Sequence, residues 1–470
     1  MRPAADGGPV KPNVIESKIR KIRAFYDTGE TKDVSFRKRQ LKSLKTAIRK
    51  NEQAIMDALY RDLKKPAFES YASEIGILYP EISHAIRNVG SWSRKRRVGT
   101  PLIHFRSRST VYYEPYGVAL IISPWNYPFQ LIIAPLVAAI AAGNCAVMKP
   151  SELAPATSRV IAKIIRETFP DRYIAVIEGG VDATQALLTE KFDYIFFTGG
   201  TAVGRIVMKA AAGHLTPVTL ELGGKSPVIV DEDADLPVAA RRLCWGKFFN
   251  AGQTCLAPDY LLVHEKIRNE FVGELVLAID AFYDGDPARS TDYARIINER
   301  HFDRIMGLLR KGRIIYGGGS DRKKRYIAPT LVADVTMKDP IMQEEIFGPL
   351  LPIMTFRTLE EAVRIVQERP RPLALYYFSR DRRKQRMVLE RTASGGGCIN
   401  DTVSHVGSQE LPFGGIGDSG MGRYHGRSGF ETFSHQRGIL ARSNWPDVML
   451  RYPPYRKKVR LLKALFRIVG

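Results

Sequence analysis

The chain has 470 residues, of which 44% are apolar and 26% are charged, and its formal net charge is +22 at pH 7. Its length predicts about three domains with a large core, and its composition is that of an ordinary folded protein. It has four cysteines, none in Cys-x-x-Cys spacing, and no His-Glu-x-x-His, so we expect no disulfide framework, no metal site and a reducing, cytoplasmic compartment.

The high positive charge has two interpretations. Basic surface is the footprint of proteins that bind nucleic acid, but it also occurs as a solvated surface on enzymes of bacterial type. The sequence contains no zinc finger, helix-turn-helix signature or RNA-binding aromatic motif, and residues 1–13 contain no apolar core of a signal peptide. These observations favour an enzyme that has no nucleic-acid partner.

The first 113 residues predict two helices and an exposed excursion. Residues 72–92 form one helical pattern, and residues 98–113 are polar and rich in β-branched and aromatic types, which predicts an extended segment that leaves the first domain. Residues 35–62 form an amphipathic helical pattern with Ser35 as a candidate N-cap. Its apolar stripe consists of Leu41, Leu44, Ile48, Ile55 and Leu59.

Residues 115–148 contain no charged residue, and a run of this length could span a membrane. Pro124, Pro128 and Pro135 interrupt the run, so we predict instead a strand at 118–123, a tight loop, a helix at 129–142 and a strand at 145–149. Such continuous apolar strands are typical of a parallel sheet that is covered on both faces.

The alternation of strands and helices then continues in two blocks. The first predicts a helix from Pro155 to before Pro170, helices at 183–189 and 205–212, and strands at 173–178, 194–198 and 218–222. This order predicts a doubly wound parallel sheet, which binds ligands beyond the carboxyl ends of its strands. The second block begins after Pro227 and predicts strands at 226–230, 260–263, 353–356, 373–379 and 395–400, helices at 234–249, 267–282, 299–311 and 359–367, an edge pair near 314–332, and an irregular glycine-dense loop at 411–429.

Two short segments could carry covalent chemistry, Glu-Leu-Gly-Gly-Lys-Ser-Pro (221–227) and Asn-Ala-Gly-Gln-Thr-Cys (250–255). A nucleophilic thiol needs a nearby base, and a covalent intermediate needs a base that activates water. Cys145 and Cys398 lie in predicted strands and Cys244 in an apolar helix, where cysteine is usually structural. Cys255 follows a glycine-containing turn, so it is the candidate nucleophile, with Glu221 as the candidate base.

Further polar groups lie where predicted strands end. Asn126, in the loop Pro-Trp-Asn-Tyr-Pro (124–128), is polar among apolar residues, and its amide can serve an oxyanion. Gly199 and Gly204 precede a helix whose N–H groups can face a pyrophosphate, although their spacing is not Gly-x-Gly-x-x-Gly and a plain turn is the alternative. Lys149 and Glu152 follow another strand, where the carboxylate can bind a ribose diol or merely favour a helix start.

Several motifs in order show that residues 20–455 resemble an aldehyde dehydrogenase of the NAD(P)-dependent superfamily. The similarity to its class 3 branch, which oxidises fatty and aromatic aldehydes, rests on the short N-terminus, Asn400-Asp401 followed by His405, and Arg-Tyr-Pro-Pro (451–454). Gly200, Phe249 and Asp418 depart from the usual pattern, which affects the shape of the pocket. The motifs are Pro-Trp-Asn-Tyr-Pro (124–128), Lys-Pro-Ser-Glu (149–152), Phe-Thr-Gly (197–199) with Gly204, Glu-Leu-Gly-Gly-Lys-Ser-Pro (221–227), Gly-Gln-Thr-Cys (252–255), Glu-Glu-Ile-Phe-Gly-Pro (344–349) and Pro-Phe-Gly-Gly (412–415).

The resemblance implies an α/β fold of two doubly wound domains with a β arm. The cofactor-binding, Rossmann-like domain would comprise 1–97 and 115–220, the catalytic domain 221–425, and the bridging and oligomerisation arm with a basic tail 98–114 and 426–470, in a homodimer. Cys255 would attack the aldehyde, the Asn126 side chain and the Cys255 N–H would hold the oxyanion, and Glu221 would activate water. The cofactor, NAD or NADP, would contact Lys149, Glu152, Gly199, Gly204, Glu345 and Phe347.

The substrate would be a medium-chain, long-chain or aromatic aldehyde. Trp245 and Phe249 are four residues apart on a predicted helix and share one face, and Tyr127 comes from the facing loop. The resemblance assigns these rings to the pocket, whereas the alternative is that they are ordinary core. A semialdehyde dehydrogenase, an acyl-CoA-forming dehydrogenase and a non-catalytic basic binding protein remain as other functions for the same fold.

Residues 451–470 contain seven basic residues and no acidic one. Leu461, Leu462, Leu465 and Val469 recur at helical spacing, which predicts a basic amphipathic helix that can lie on an anionic membrane but is too short and charged to span it. A helix docked on the partner subunit and a disordered tail are the alternatives. We predict weak, salt-sensitive peripheral binding to membranes.

Overall fold

The computed structural model describes residues 12–456 and 458–469. Residues 1–11, Lys457 and Gly470, which the predicted domain boundaries include, lie outside the described residues. The helices and strands are numbered separately in chain order. The α-helices are α1 (Pro12–Asp27), α2 (Val34–Lys50), α3 (Glu52–Leu63), α4 (Ala67–Ser70), α5 (Leu78–Trp92), α6 (Gln130–Ala142), α7 (Pro155–Thr168), α8 (Val181–Thr189), α9 (Thr201–Ala212), α10 (Leu236–Phe248), α11 (Arg268–Phe282), α12 (Glu299–Gly307), α13 (Pro340–Gln343), α14 (Leu359–Gln367), α15 (Arg382–Arg391), α16 (Gly426–Thr432) and α17 (Lys458–Val469).

The strands alternate with these helices over most of the chain. They are β1 (Arg96–Val98), β2 (Ser107–Pro115), β3 (Val118–Ile122), β4 (Cys145–Lys149), β5 (Ile174–Val176), β6 (Tyr194–Thr198), β7 (Val218–Glu221), β8 (Pro227–Val230), β9 (Tyr260–His264), β10 (Arg313–Tyr316), β11 (Ser320–Asp321), β12 (Tyr326–Ile327), β13 (Thr330–Ala333), β14 (Leu350–Phe356), β15 (Ala374–Phe378), β16 (Gly396–Ile399), β17 (Gly420–Met421) and β18 (Ser434–Arg442).

The first sheet has the strand order β17-β7-β6-β3-β4-β5. Its strands are parallel except for β17, which pairs antiparallel with β7. Every residue of β3, β4 and β6 is buried, and so is every residue of the apolar helix α6. The uncharged run 115–148 therefore forms the centre of a covered parallel sheet, as its pattern predicts.

The second sheet has the order β10-β13-β14-β9-β8-β15-β16 and is parallel except at the edge strand β10. The two sheets confirm the predicted α/β class with two doubly wound units. The predicted excursion at 98–113 is also confirmed as β structure, because β2 pairs antiparallel with β18 along nine residues and with β1 on its other side. The boundaries of the predicted domains stay a prediction.

Some local predictions were wrong, and each has a physical reason. The N-cap of α2 is Asp33, not Ser35, because the Asp33 carboxylate accepts hydrogen bonds from the backbone N–H groups of Ser35 and Phe36. The predicted helix 35–62 is interrupted at Asn51, although all five residues of its apolar stripe are fully buried. Helix α15 was not predicted, because five of its ten residues are basic and Val388 is its one buried residue. Such a helix shows no clear apolar stripe in the sequence.

The glycine-dense segment 411–429 is less irregular than predicted. Gly420 and Met421 form β17, which adds to the first sheet beside Glu221, and α16 begins at Gly426. Gly420 has a φ of 137°, and a Cβ atom there would lie 2.1 Å from the carbonyl oxygen of Leu220. Glycine is therefore required where this strand approaches β7. The sequence-based prediction took the dense glycines to indicate a loop, so it did not anticipate this strand.

Candidate active site

The turn that presents Cys255 has a left-handed backbone. Helix α10 ends at Phe248, and the next turn contains Asn250, Ala251 and Gly252 with φ angles of 53°, 51° and 73°. A Cβ atom on Gly252 would lie 2.3 Å from the carbonyl oxygen of Gly348. Left-handed backbone at non-glycine residues is strained and is common at functional sites, and here it directs Cys255 into a cavity.

The cavity has a free volume of about 210 Å³. Five of the predicted site residues line it: Cys255, Glu221, Tyr127, Trp245 and Phe249. Its other lining residues are apolar or uncharged, and they contain no lysine, arginine or histidine. They are Ala72, Ser73, Ile77, Gln130, Leu131, Thr198, Leu222, Thr254, Leu256, Leu373, Val403, Ser404, Val406, Gly407, Phe413 and Tyr424.

The three aromatic residues predicted for the pocket all line this cavity. The ring centres of Trp245 and Phe249 are 5.3 Å apart, because residues four apart at the end of α10 share one face. Trp245 is 40% exposed, so it is a rim residue rather than a core residue. The Tyr127 hydroxyl lies 2.5 Å from the Thr254 hydroxyl, next to Cys255.

Glu221 ends strand β7 and is 3% exposed. Neither of its carboxylate oxygens has a hydrogen-bond partner among the described residues. Desolvation raises the pKa of Glu221 well above its ordinary value. A buried carboxyl group without a partner is unfavourable for stability, and such groups concentrate at functional sites.

Desolvation also raises the pKa of Cys255, and the neighbouring Glu345 and Glu221 carboxylates raise it further. The thiol therefore needs a proton acceptor before it can attack a substrate. The other thiols are in different surroundings: Cys145 and Cys244 are buried, and the Cys398 sulfur lies 3.4 Å from His405 Nδ1.

Asn126 is not among the residues that line the cavity, and it is 2% exposed. Its side-chain Nδ2 donates to the carbonyl oxygen of Gln253 at 3.0 Å, two residues before Cys255. The amide carries two N–H groups, so one remains for another acceptor. The structure thus brings Asn126 and the Cys255 turn into direct contact, across 127 residues of sequence.

Lys149 and Glu152 lie together at the carboxyl end of β4. Lys149 Nζ donates to the carbonyl oxygen of Pro150 at 2.9 Å and to the Glu152 carboxylate at 3.3 Å. Desolvation lowers the pKa of Lys149, and Glu152 partly opposes this shift. The Glu152 side chain is 41% exposed, so its carboxylate is accessible to a ligand at this edge.

Gly199 and Gly204 do not both lie in a turn, which corrects the prediction. Helix α9 begins at Thr201 rather than Arg205, so Gly204 lies in its first turn. A Cβ atom on Gly204 would lie 2.7 Å from a methyl group of Leu222. Gly204 therefore permits close packing of the helix on the end of β7, whereas Gly199 lies directly after β6.

Glu345 and Phe347 lie in the segment that packs against the Cys255 turn through Gly348. Desolvation and Asp259 raise the pKa of Glu345 to about 8, although the N–H of Gly224 opposes the shift. Phe347 has a left-handed backbone with φ 49°, and its ring centre lies 5.3 Å from that of Trp125. Neither residue lines the cavity that contains Cys255.

The carboxyl edge of the first sheet fits a nicotinamide dinucleotide. The buried hydroxyls of Ser123 and Thr198, at the ends of β3 and β6, have no hydrogen-bond partner among the described residues. No side chain caps the start of α9, which leaves its N–H groups for an anion. Val203 and Ile206 on the same helix are 46% and 60% exposed, so they offer apolar surface to a base.

Sequence reasoning missed two parts of the cavity wall. Tyr424 and Phe413 come from the glycine-dense segment, and Glu221 and Cys255 raise the pKa of Tyr424 after desolvation. The presence of two aromatic residues in a glycine-dense segment was the sequence signal that could have indicated a buried role for this segment. The other missed wall comes from the segment before α5, which contributes Ser73 and neighbours from a π-helical turn, and it carried no sequence signal that we can name.

One group among the described residues has the spacing of metal ligands. Asp231, Glu232 and His264 each place one ligand atom within 4.8 Å of the others. Tyr377 and Lys384 already bind one oxygen of Asp231, and both His264 ring nitrogens have backbone partners. This arrangement is that of a hydrogen-bonded charge cluster.

The chain was also compared with known proteins. Residues 11–439 match the aldehyde dehydrogenase family. The 4,4'-diaponeurosporen-aldehyde dehydrogenase of Staphylococcus aureus is 50% identical over 97% of this chain and 100% of its own. The dimeric NADP-preferring aldehyde dehydrogenase of the dog is 46% identical over 94% of this chain and 98% of its own.

Solved structures agree with the sequence comparison. The substrate-bound state of Staphylococcus aureus AldH superposes with a TM-score of 0.93 at 50% identity, over 96% of this chain and 99% of that chain. The similarity to proteins of one family therefore extends along almost the whole chain. The chain belongs to the aldehyde dehydrogenase family and is an NAD(P)-dependent aldehyde dehydrogenase of the class 3 branch.

Proposed function

We propose that this enzyme oxidises apolar aldehydes, of medium or long chain or aromatic, to carboxylic acids in the cavity that contains Cys255. The observation that carries the proposal is the wall of that cavity, where Glu221 is the only charged residue among the lining residues. Apolar substrates gain free energy from burial in such a site, at about 25 cal/mol per Å². Trp245, Phe249 and Tyr127 supply aromatic surface along it.

In the first step, the Cys255 thiol releases its proton to solvent, its sulfur attacks the aldehyde carbon and a C–S bond forms. The electron pair of the carbonyl bond moves to oxygen, and the free N–H of the Asn126 amide and the Cys255 N–H donate to that oxygen. Removal of one such donor typically reduces the rate by about 10²–10³-fold. Gln253 supports this assignment, because its carbonyl holds the amide beside the turn.

A bound NAD(P) would supply the hydride acceptor for oxidation of the tetrahedral carbon. Lys149, Glu152, Gly199 and Gly204 would hold the adenosine and pyrophosphate portion at the carboxyl edge of the first sheet. Glu345 and Phe347 would hold the nicotinamide portion. The product of this stage is a thioester on Cys255.

Glu221 then accepts a proton from the water that attacks the thioester, which releases the acid and the thiol. A general base of this kind contributes about 10²–10⁴ to the rate. Because both Glu221 oxygens lack partners among the described residues, the carboxylate is free to bind water. The same feature disfavours an acyl-CoA-forming enzyme, in which hydrolysis would compete with transfer.

A semialdehyde substrate is disfavoured by the charges of the site. The carboxylate of a semialdehyde would need a cation, and the lining residues contain no lysine or arginine. Burial of an unpaired carboxylate is strongly unfavourable. The cavity also disfavours a non-catalytic basic binding protein, which would have no use for a buried thiol and carboxyl group side by side.

The test is an aldehyde panel followed by the absorbance of NADH or NADPH. We expect kcat/KM to be higher for hexanal, decanal and benzaldehyde than for acetaldehyde, and lowest for succinic semialdehyde. Trp245→Ala should lower kcat/KM for the larger substrates and leave that for acetaldehyde nearly unchanged. A preference for acetaldehyde or for the semialdehyde in the parent enzyme would refute the proposed substrate class.

The proposal includes a homodimer in the cytoplasm with peripheral contact to membranes. Edge strand β18 is largely exposed, including Ile439 and Leu440, and an exposed edge is a natural site of pairing between chains. Helix α17 leaves Leu461 and Phe466 more than half exposed beside its basic residues, which supports binding to an anionic surface. No helix of the described residues is long and apolar enough to cross a bilayer.

A further inference from the structure

Lys65 and Glu74 form an ion pair that is completely buried outside the cavity. Their side chains are 0% exposed, and Lys65 Nζ lies 2.5 Å from Glu74 Oε1. A buried pair gains little net stability over apolar residues of similar size, because both charges lose their hydration. The contacts of this pair with the Asn126 loop indicate what else it does.

Lys65 contacts the start of that loop. Its Nζ donates to the carbonyl oxygen of Asn126 at 3.0 Å, and it lies 4.1 Å from the centre of the Tyr127 ring. Nδ2 of Asn250 donates to the same carbonyl oxygen at 2.9 Å. Both acceptor positions of the Asn126 carbonyl are thus occupied, which fixes the peptide from which the Asn126 amide projects.

Glu74 holds the other end of the loop. Its Oε2 accepts hydrogen bonds from the backbone N–H groups of Phe129 and Gln130, each at 3.0 Å, at the start of α6. No side chain of α6 itself caps this end. A carboxylate at a helix N-terminus satisfies free N–H groups and interacts favourably with the helix dipole, so Glu74 caps α6 from another part of the chain.

A π-helical turn, Tyr71–Ile75, gives Glu74 this direction. Gly76 N–H donates to the carbonyl oxygen of Tyr71, five residues back, instead of four. Glu69, just before the turn, accepts from the backbone N–H of Asn250 at 3.0 Å. In a regular helix of about 3.6 residues per turn, residues five apart point to different sides, whereas the wider turn lets Glu69 and Glu74 both face the catalytic loops.

We propose that Lys65 and Glu74 are positioning residues, which fix the main chain of residues 126–130 so that the Asn126 amide reaches the oxyanion of the reacting aldehyde. This inference rests on the proposed role of Asn126 in catalysis. It adds that the geometry of the oxyanion site is set by a buried ion pair on the segment between α3 and α5, which touches neither substrate nor cofactor.

The experiment uses a double variant, Lys65→Met/Glu74→Gln. Lys65→Met alone leaves a buried unpaired carboxylate and risks unfolding. In the double variant neither position 65 nor position 74 carries a charge, and the glutamine that replaces Glu74 keeps an oxygen that can accept from α6. Asn126→Ala is the reference for loss of the oxyanion donor. Lys45→Met is the matched control. Lys45 also lies over a tyrosine ring, that of Tyr79, but it donates to the Ser83 hydroxyl and makes no contact with the Asn126 loop.

We expect the double variant to melt near the parent temperature and to lose kcat by about 10²-fold, since a misplacement of about 1 Å at a reacting centre has an effect of that size. The rate at which iodoacetamide alkylates Cys255 should stay at the parent value, because alkylation develops no oxyanion. Lys45→Met should keep parental kcat.

The outcomes separate the two proposals. If Asn126→Ala retains full kcat, the proposed role of Asn126 fails. If Asn126→Ala is impaired but the double variant retains parental kcat, the ion pair only stabilises the fold and the positioning role is overturned. An equal fall of kcat and of the alkylation rate also overturns it, because the whole pocket would then have collapsed.

Discussion

Cys255 and Glu221 are two acids that the fold desolvates in one cavity. Desolvation raises the pKa of both, and the Glu221 carboxylate raises the pKa of Cys255 further, because two negative charges in one cavity repel. This coupling suits a reaction in which the thiol acts first and the carboxylate acts later as a base.

Cys255→Ala should abolish aldehyde oxidation and leave binding of NAD(P) intact. The side chain is the proposed nucleophile, and the alanine keeps the backbone of the turn that presents it. Turnover is measured by absorbance and cofactor binding by quenching of protein fluorescence. Cys398→Ala, another half-buried thiol, serves as the control and should keep activity. Parental turnover in Cys255→Ala would exclude a covalent mechanism at this residue.

Glu221→Gln should slow hydrolysis of the thioester more than its formation. The amide cannot accept a proton from water, so we expect a loss of about 10²–10⁴ in the steady-state rate. In a stopped-flow experiment NADH should still appear in a burst of about one equivalent per site, followed by slow turnover. A burst followed by parental turnover would contradict the proposed base.

Glu221→Gln should also stabilise the protein in a pH-dependent manner. The pKa of Glu221 is raised in the folded state, so the folded protein binds this proton more tightly than the unfolded chain. Its contribution to stability is fully present below the ordinary carboxyl pKa and is lost as the pH rises towards the raised value. We expect the melting temperatures of variant and parent to be similar near pH 4.5 and to diverge, with the variant higher, at pH 8. The same difference at both pH values would contradict this.

At the scale of single elements, α9 shows how a glycine can serve packing rather than a turn. Its Gly204 faces Leu222, which directly follows Glu221, so the helix lies close to the strand end that carries the proposed base. The position of the helix N-terminus at the cofactor edge depends on this close approach.

Gly204→Ala should displace the start of α9 and weaken cofactor binding, because the added methyl group would lie 2.7 Å from Leu222. We expect a higher KM for NAD(P) and a smaller change in KM for the aldehyde. Gly213→Ala, at the end of the same helix, is the control, since its nearest contact is 3.4 Å away and its φ is −61°. Equal effects of the two variants on KM for NAD(P) would refute the packing role.

At the scale of the whole molecule, the basic residues that give the net charge of +22 do not all have the same role. Most basic residues lie on the surface far from the cavity, where they affect solubility and association rather than catalysis. Helix α17 is the exception, because it combines bases with exposed apolar residues at the end of the chain. A groove between α17 and strand β18 is lined by Ile103, Leu440, Val459, Leu462 and Leu465, among others.

Removal of residues 451–470 should abolish co-sedimentation with vesicles of anionic lipid at low salt and leave kcat for a water-soluble aldehyde unchanged. Each base near the surface adds about 1 kcal/mol of attraction, so binding by the full chain should fall steeply as salt is raised. Neutral vesicles are the control. Equal binding of the full and shortened chains to anionic vesicles would refute the proposed contact.

Patterns within one element were predicted well. The bounds of β4, β6 and α14 are those that the sequence predicts, because continuous apolar runs and a regular amphipathic stripe report burial directly. Helix α15 was missed because its burial is confined to Val388. The sequence also indicated Cys255 and Glu221 as the candidate pair, since each lies beside glycines in a distinctive segment.

What the sequence by itself determined is the class of fold, the family and the chemical groups of the site, because these depend on residue type and on local order along the chain. What only the tertiary structure decided is how those groups are held. The partners of Asn126 come from residues 65, 250 and 253, and Tyr424 reaches the cavity from a segment that reads as loop. Such contacts join residues that are far apart in the chain, and only long-range packing of helices and sheets brings them together.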